Sequence, residues 1–286
     1  MDKFGRNYQL IIVLPTGNII NISPPFTLEF DITRNTLTSA NVAQFRIYNL
    51  SQLNRNQIRH NQQDIGNYAG IIFLAGYGNN LSKIFSGNIS NAWSVREGVD
   101  FITQIESFDG GFAFNNGITD VQFVGGTPIK SILIKLGSTL PYVSLGAIGN
   151  YTGVLGRGAS FSGPTIDIIS QLTGGGAFID NGKINILHDD EYLSNGVGIV
   201  VNSQSGLLGT PVLEQTIVRF DMIFEPGLNC GEKIELRSDT ESNFNGDYIV
   251  TAVKHRGMIS EAVCGSVITT GEFFYIKSAT GVQPLT

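Results

Sequence analysis

Along the first hundred residues apolar and polar positions alternate with a period of two, the spacing of half-buried strands. Phe26, Leu28, Phe30 and Ile32 alternate with Thr27, Glu29 and Asp31. Ala43, Phe45 and Ile47 alternate with Gln44, Arg46 and Tyr48. Tyr8–Leu14 and Asn18–Ile22 flank the turn cluster Pro15-Thr16-Gly17-Asn18 and read as a hairpin. Gly70–Ala75 is a further apolar strand. Ser51 stands where it can cap a short helix whose inward residues are Leu53 and Ile58. Phe85–Ser107 reads as two strands joined at Glu97-Gly98, because glycine takes positive φ without steric cost. A second stretch, from Phe244, echoes it. Phe-x-Gly-[Asn/Asp] occurs at Phe85-Gly87-Asn88 and at Phe244-Gly246-Asp247, and Ala92 and Ala252 follow. Gly87 to Gly98 and Gly246 to Gly257 are both 11 residues apart. The echo suggests one hairpin unit used twice, which requires the same strand order around both copies.

The pattern changes at Asp109-Gly110-Gly111. Thr127-Pro128 predicts a helix start, with Thr127 as N-cap and Pro128 at the first helical position. Ile129, Ile132, Leu133 and Leu136 share one helical face, and Gly137 is the expected C-cap. A second helix is expected near Pro164, with Ile166, Ile169 and Leu172 inward and Gly174 as its stop. Ala177–Leu187 then forms a hairpin around Asn181-Gly182, a preferred type I′ pair. From about residue 206 the chain is β again. Val212–Phe224 reads as one long strand ended by Pro226-Gly227, Glu232–Arg237 turns Ile234 and Leu236 inward, and Asp247–Thr269 is the echo hairpin. The expected fold is mainly β with an α+β insert. Two β-barrel or sandwich domains, 1–108 with an inserted helix and 206–277, flank a small α+β middle domain, 109–205, and a polar tail, 278–286, frays or docks on a partner.

Composition narrows the class. Only 15% of the 286 residues are charged and the net charge is −6, against about 25% charged in an average domain. A sequence-reading nucleic-acid binder needs a basic face, so that class is disfavoured. Low charge with 35 glycines fits a secreted or viral β-rich protein, or a subunit whose surface lies largely inside an assembly. The start, MDKFGRNYQL, has no apolar h-region, which favours the second. No run of 18 apolar residues exists, so no transmembrane helix is expected. Cys230 and Cys264 read as reduced core thiols.

Candidate chemistry is thin. His188-Asp189-Asp190-Glu191 is the densest group of potential ligands, but adjacent residues on one loop point different ways and the spacing matches no metal motif, so a solvated loop is expected. His60 and His255 are isolated, and His255 falls at the expected tip of the second hairpin, at the surface or an interface. Gly153–Gly158 lacks the Gly-Lys-[Ser/Thr] ending of a phosphate loop and reads as a connector. Ser170 has no nucleophile-elbow context. Trp93 reads as a core aromatic, with an exposed partner anchor as the alternative. No catalytic, cofactor-binding or metal-ligating residue is assigned, and no cofactor is expected.

Gln44-Phe45-Arg46-Ile47-Tyr48-Asn49-Leu50-Ser51 resembles the first domain of bacteriophage tail baseplate hub proteins, as does Ile84-Phe85-Ser86-Gly87-Asn88-Ile89. Gly231-Glu232-Lys233-Ile234, Asn245-Gly246-Asp247-Tyr248-Ile249-Val250 and Val253-Lys254-His255-Arg256-Gly257 are similar, in order, to the motifs of the hubs' last domain. The resemblance implies a structural, non-enzymatic protein of the virion tail baseplate. It implies two tail-tube-like β-domains, and three copies forming a pseudo-six-fold ring. Such a ring adapts a six-fold tail tube to a three-fold central spike and passes DNA without specific binding. Implied partners are other copies of the chain, the central spike, the tail tube or its initiating protein, and other baseplate subunits. An acidic balance suits such a channel, since like charges repel phosphate. A carbohydrate-binding tail-tip protein and a peptidoglycan-cleaving tail enzyme, testable at Asp189, Asp190 and Glu191, are the alternatives.

Overall fold

A sheet of 13 strands runs through the protein in the computed structural model, which describes residues 3–59, 68–194, 198–262, 265–276 and 279–285. The first part of the chain supplies β1 (Arg6–Val13), β2 (Ile19–Ile22), β3 (Leu28–Asn35), β4 (Asn41–Tyr48), helix α1 (Gln52–Ile58), β5 (Gly70–Tyr77), β6 (Asn80–Glu97) and β7 (Asp100–Asp109). The middle supplies α2 (Gly111–Asn116), β8 (Ile118–Phe123), α3 (Ile129–Gly137), β9 (Ser144–Ile148), β10 (Ala159–Pro164), α4 (Thr165–Thr173), β11 (Ala177–Asp180), β12 (Lys183–Ile186), β13 (Glu191–Leu193) and β14 (Ile199–Val201). The last part supplies β15 (Leu207–Glu214), β16 (Ile217–Ile223), β17 (Lys233–Leu236), β18 (Gly246–Ile259), β19 (Val267–Tyr275) and β20 (Thr280–Val282).

The main path of the sheet is β15-β16-β19-β18-β3-β4-β7-β6-β5-β1-β2, with β17 beside the first residues of β18 and β14 beside β17. One order therefore occurs twice: β3-β4-β7-β6-β5-β1 and β15-β16-β19-β18-β17-β14. The copies differ where β1 runs antiparallel to β5 while β14 runs parallel to β17, and the first holds an α-helix, α1, between β4 and β5, where no α-helix joins β16 to β17 among the described residues of the second. Each copy also has a β-bulge at the same place. Ser90 is the extra residue of β6 against β7, and Thr251 that of β18 against β19. Alternation explains the rest: Ala43, Phe45 and Ile47 on β4 and Val218, Phe220 and Met222 on β16 all face a core.

The described residues form three apolar clusters. One lies under β1–β7, one among the last strands, and one between α3, α4 and the β9–β11–β12 sheet. Ser51 caps α1, its hydroxyl accepting from Asn54 N at 3.2 Å. Ile58 is the inward residue of that helix and its one buried residue; Leu53 is 68% exposed. Helix α3 begins one residue later than expected. Pro128 is its N-cap, the Thr127 hydroxyl donates to the Val124 carbonyl instead, and Gly137 is the last helical residue. Gly174 ends α4 at φ 71°, and Asn181-Gly182 makes the β11–β12 turn with both φ positive.

Three expectations fail in the last part. Val212–Phe224 is not one strand, since the chain reverses at Gln215-Thr216 and makes the β15–β16 hairpin. Gly257 is not a turn: it lies inside β18, between Val267 of β19 and Phe30 of β3, where a Cβ would run into the Ser266 carbonyl. The tail neither frays nor waits for a partner over its described residues, because β20 pairs in parallel with β13 and Leu285 N donates to the Gly146 carbonyl at 3.0 Å.

Candidate assembly interface

The two copies of the strand order meet at one place. The second half of β18 pairs antiparallel with β3, from Ala252 opposite Asn35 to Ile259 opposite Leu28. On the core face of this junction His255 stands opposite Ile32, and both are fully buried. His255 Nδ1 shares a 2.9 Å hydrogen bond with the Thr269 hydroxyl, and its ring meets Phe224 edge-on at 5.6 Å. Burial, then the nearby Arg34 charge, holds this imidazole well below its usual pKa, so it is neutral. Phe224, at the end of β16, crosses into the first apolar cluster and packs on Phe30 and Tyr77. The Tyr77 hydroxyl donates to the Phe224 carbonyl at 2.8 Å.

A buried charge cluster ties all three parts of the chain at the end of β3. Arg34 is fully buried. Its Nη1 donates to Asp180 Oδ2 at 3.2 Å on β11, and its Nη2 donates to the Leu228 carbonyl at 2.8 Å beyond β16. Asn41 Nδ2 on β4 donates to the Ile179 carbonyl at 2.9 Å and to Asp180 Oδ1 at 3.3 Å. Burial is the largest single influence and would lower the Arg34 pKa, but Asp180, with Cys230, Asp109 and Glu232 adding to it, outweighs burial and the guanidinium stays charged. Burial pushes Asp180 up, against the pull of Arg34. Asp109, at the end of β7, is pushed up to about 7, first by burial and then by Asp180. Its Oδ1 accepts from Gly182 N at 2.9 Å, while its Oδ2 meets no donor.

The other face of the sheet is polar. Lys254 pairs with Asp31 at 3.0 Å, Arg46 with Glu29 at 3.4 Å, and the Thr270 hydroxyl donates to Asp221 at 2.6 Å. Arg219 pairs with Glu272. A cleft of about 540 Å³ opens over this face between Trp93, Gln104, Arg46 and Arg256. Trp93 is half-buried on β6 and not a core residue.

The residues singled out in the sequence do not converge. The His188 ring lies against Tyr151, centroids 4.0 Å apart and tilted by 33°, and Asp189 and Asp190 are exposed. Glu191 is buried, contrary to a solvated loop, because its carboxylate accepts from His188 N and Asn150 N at 2.9 and 2.8 Å. His255 is a core residue rather than a hairpin tip. Gly153–Gly158 is a connector, with the Gly153 carbonyl accepting from Ile129 N. Cys230 is buried and free; His60 and Cys264 lie outside the described residues. Among the described residues no group of three or more His, Cys, Asp or Glu is arranged to hold a metal ion, and no helix is long and apolar enough to cross a membrane. Arg34, Asp180 and Asp109 carried no signal in the sequence beyond being lone charges beside apolar strands.

Comparison with known proteins follows from this geometry. The family described as baseplate hub gp41 matches residues 11–257. A search of curated protein sequences finds no match. A tail protein from Neisseria meningitidis MC58 has a similar structure, with TM-score 0.60 and 9% identity over 95% of this chain and 96% of that one. A 43 kDa tail protein of prophage MuSo2 from Shewanella oneidensis is similar at TM-score 0.58 and 8% identity, over 93% and 96% of the two chains. So is the E. coli c3393 protein, a type VI secretion system component, at TM-score 0.59 and 9% identity, over 91% and 76%. The chain belongs to the baseplate hub gp41 family and is a structural protein of the phage tail baseplate.

Proposed function

We propose that the protein is the symmetry-adapting hub of the baseplate, a homotrimer whose three chains present six similar β-units in a ring. The observation that carries this is the repeated strand order joined by β18 and β3 into one continuous sheet. A chain holding two equivalent units needs three copies to offer six binding surfaces to a six-fold tail tube, while its non-repeated parts offer three to a central spike. The units are taken as residues 1–108 and 206–277, with 109–205 as the middle domain, whose strand β14 (Ile199–Val201) is lent to the second unit. The role is structural rather than enzymatic, and other baseplate subunits are the remaining partners.

The polar face of the sheet is the proposed channel wall. Glu29, Asp31, Glu106, Asp221 and Glu272 lie on it among Arg46, Arg219, Lys254 and Arg256, so acidic groups interrupt and pair with the basic ones that phosphate would need. DNA would pass such a wall without sticking. Light scattering on the purified protein tests the central point: three chain masses are expected, and a monomer at every concentration overturns it.

A further inference from the structure

Among the edges of this sheet with no strand beside them in the described residues are the second half of β6, from Ser90 to Glu97, and the outer side of β15. In the repeated order β6 is the counterpart of β18, and β15 the counterpart of β3. Those counterparts are the two strands that pair at the internal junction. We propose that β6 of one copy pairs antiparallel with β15 of a second copy of this chain, repeating the internal β18–β3 junction at each seam between subunits. The proposal rests on the ring reading and specifies where and in what register its copies meet.

The register follows from the bulges. Counting from Ser90 and Thr251, Ser94 corresponds to His255, Val95 to Arg256 and Trp93 to Lys254. Ser107 of β7 and Phe273 of β19 stand opposite the residues just before the bulges, which aligns Phe45 with Phe220 through the next strands. The outermost hairpins then align Ile32 with Leu213 and Asp31 with Val212. At the internal junction His255 faces Ile32 and Arg256 faces Asp31. At the seam Ser94 therefore faces Leu213, and Val95 faces Val212.

Burial marks what is missing. Ile32 and His255, opposite each other across the internal junction, are both 0% exposed. Leu213, on the core side of β15, is 49% exposed, and Ser94 is exposed as well. Chemistry agrees. Where the internal junction has the ion pair Lys254–Asp31, the seam brings together Trp93 and Val212, the latter 53% exposed. Apolar residues in place of exposed ion pairs suit an interface between subunits that stay together. The bulge from Leu208 to Val212 limits the match: Gly209 has φ 67° and Pro211 has no N–H to donate, so pairing is confined to Val212–Glu214 and to Leu207-Leu208. An interrupted edge of this kind also discourages pairing with unrelated strands.

The test is oxidative cross-linking of the full chain carrying Ser94→Cys and Leu213→Cys, with Cys264→Ser to remove a competing thiol. Facing residues of antiparallel strands have Cα atoms about 4.5–5.5 Å apart, within disulfide reach. The expected result is a covalent trimer on a denaturing gel with this pair, and no cross-link with Ser94→Cys plus Leu208→Cys, which are out of register. A protein that is trimeric by light scattering yet gives no Ser94–Leu213 cross-link overturns the seam and leaves the trimer standing; a monomer overturns both. Leu213→Lys places a charge on the core side of the edge strand. It is expected to give a folded monomer by circular dichroism and light scattering, and a trimer that survives it contradicts the proposal.

Discussion

Arg34 is where the three parts of the chain are tied most tightly, so single side chains there have consequences across the molecule. Arg34→Ala leaves Asp180 buried without its cation, and a loss of about 3–5 kcal/mol is expected in denaturant unfolding. Replacing both, Arg34→Met with Asp180→Leu, is expected to lose less than Arg34→Ala alone, since no unpaired buried charge remains. A double variant as unstable as the single one would show that the pair itself, not the orphaned charge, supplies the stability. Asp109 has a pH signature. Its carboxyl, ordinarily near 3.8, is raised to about 7 in the folded chain. Between those values the folded state holds a proton that the unfolded state has released, so this group's contribution to stability falls as pH rises from about 4 to about 7. His255 acts in the opposite sense, since a buried neutral imidazole loses stability as pH falls below its ordinary 6.5. Asp109→Asn should remove only the first effect. The variant is expected to gain stability over the native protein, on the order of a few kcal/mol at pH 7.5, with the gain shrinking toward pH 4. A gain independent of pH would refute the assignment.

At the scale of elements, Gly257 tests the junction. Gly257→Val pushes a branched side chain against the Ser266 carbonyl and Val267, and a lower unfolding midpoint by several degrees is expected. No change would mean that β18 and β19 are farther apart there. Removing residues 279–286 strips β13 of its partner and should lower the midpoint too, as a docked strand would and a frayed tail would not. Period-two alternation made β3, β4 and β7 legible in the sequence, and the spacing of Ile132, Leu133 and Leu136 did the same for α3. The Phe-x-Gly echo pointed to a real repetition but in the wrong register. Gly98 closes a turn at φ 63°, whereas Gly257 allows two strands to approach. The bulge residues Ser90 and Thr251, which align the copies, share no residue type and were invisible. The β15–β16 turn was missed because Gln215-Thr216 contains neither Gly nor Pro, although Gln215 takes φ 57°. His255 was misplaced for the same reason as Gly257: pairing between β18 and β3 spans some 220 residues, and no local pattern reports it.

For the whole molecule, the sheet that passes from one β-unit to the other is both the scaffold and the proposed assembly surface. Its polar face should be inert toward DNA. The native protein is expected to leave duplex DNA unshifted in a gel at low salt, and Glu29→Lys with Asp31→Lys and Asp221→Lys should create salt-sensitive retention. Retention by the native protein would argue against that face as a channel wall. The family match places the chain in the baseplate, and the repeated strand order is what the proposed three-copy, pseudo-six-fold ring rests on. Electron-microscopic imaging of the purified protein examines this most directly. The expected particle is a closed ring with three-fold symmetry, six similar lobes around an open centre, and one continuous sheet crossing every boundary. A closed two-fold dimer, or a three-fold particle whose six lobes are not alike, would contradict it.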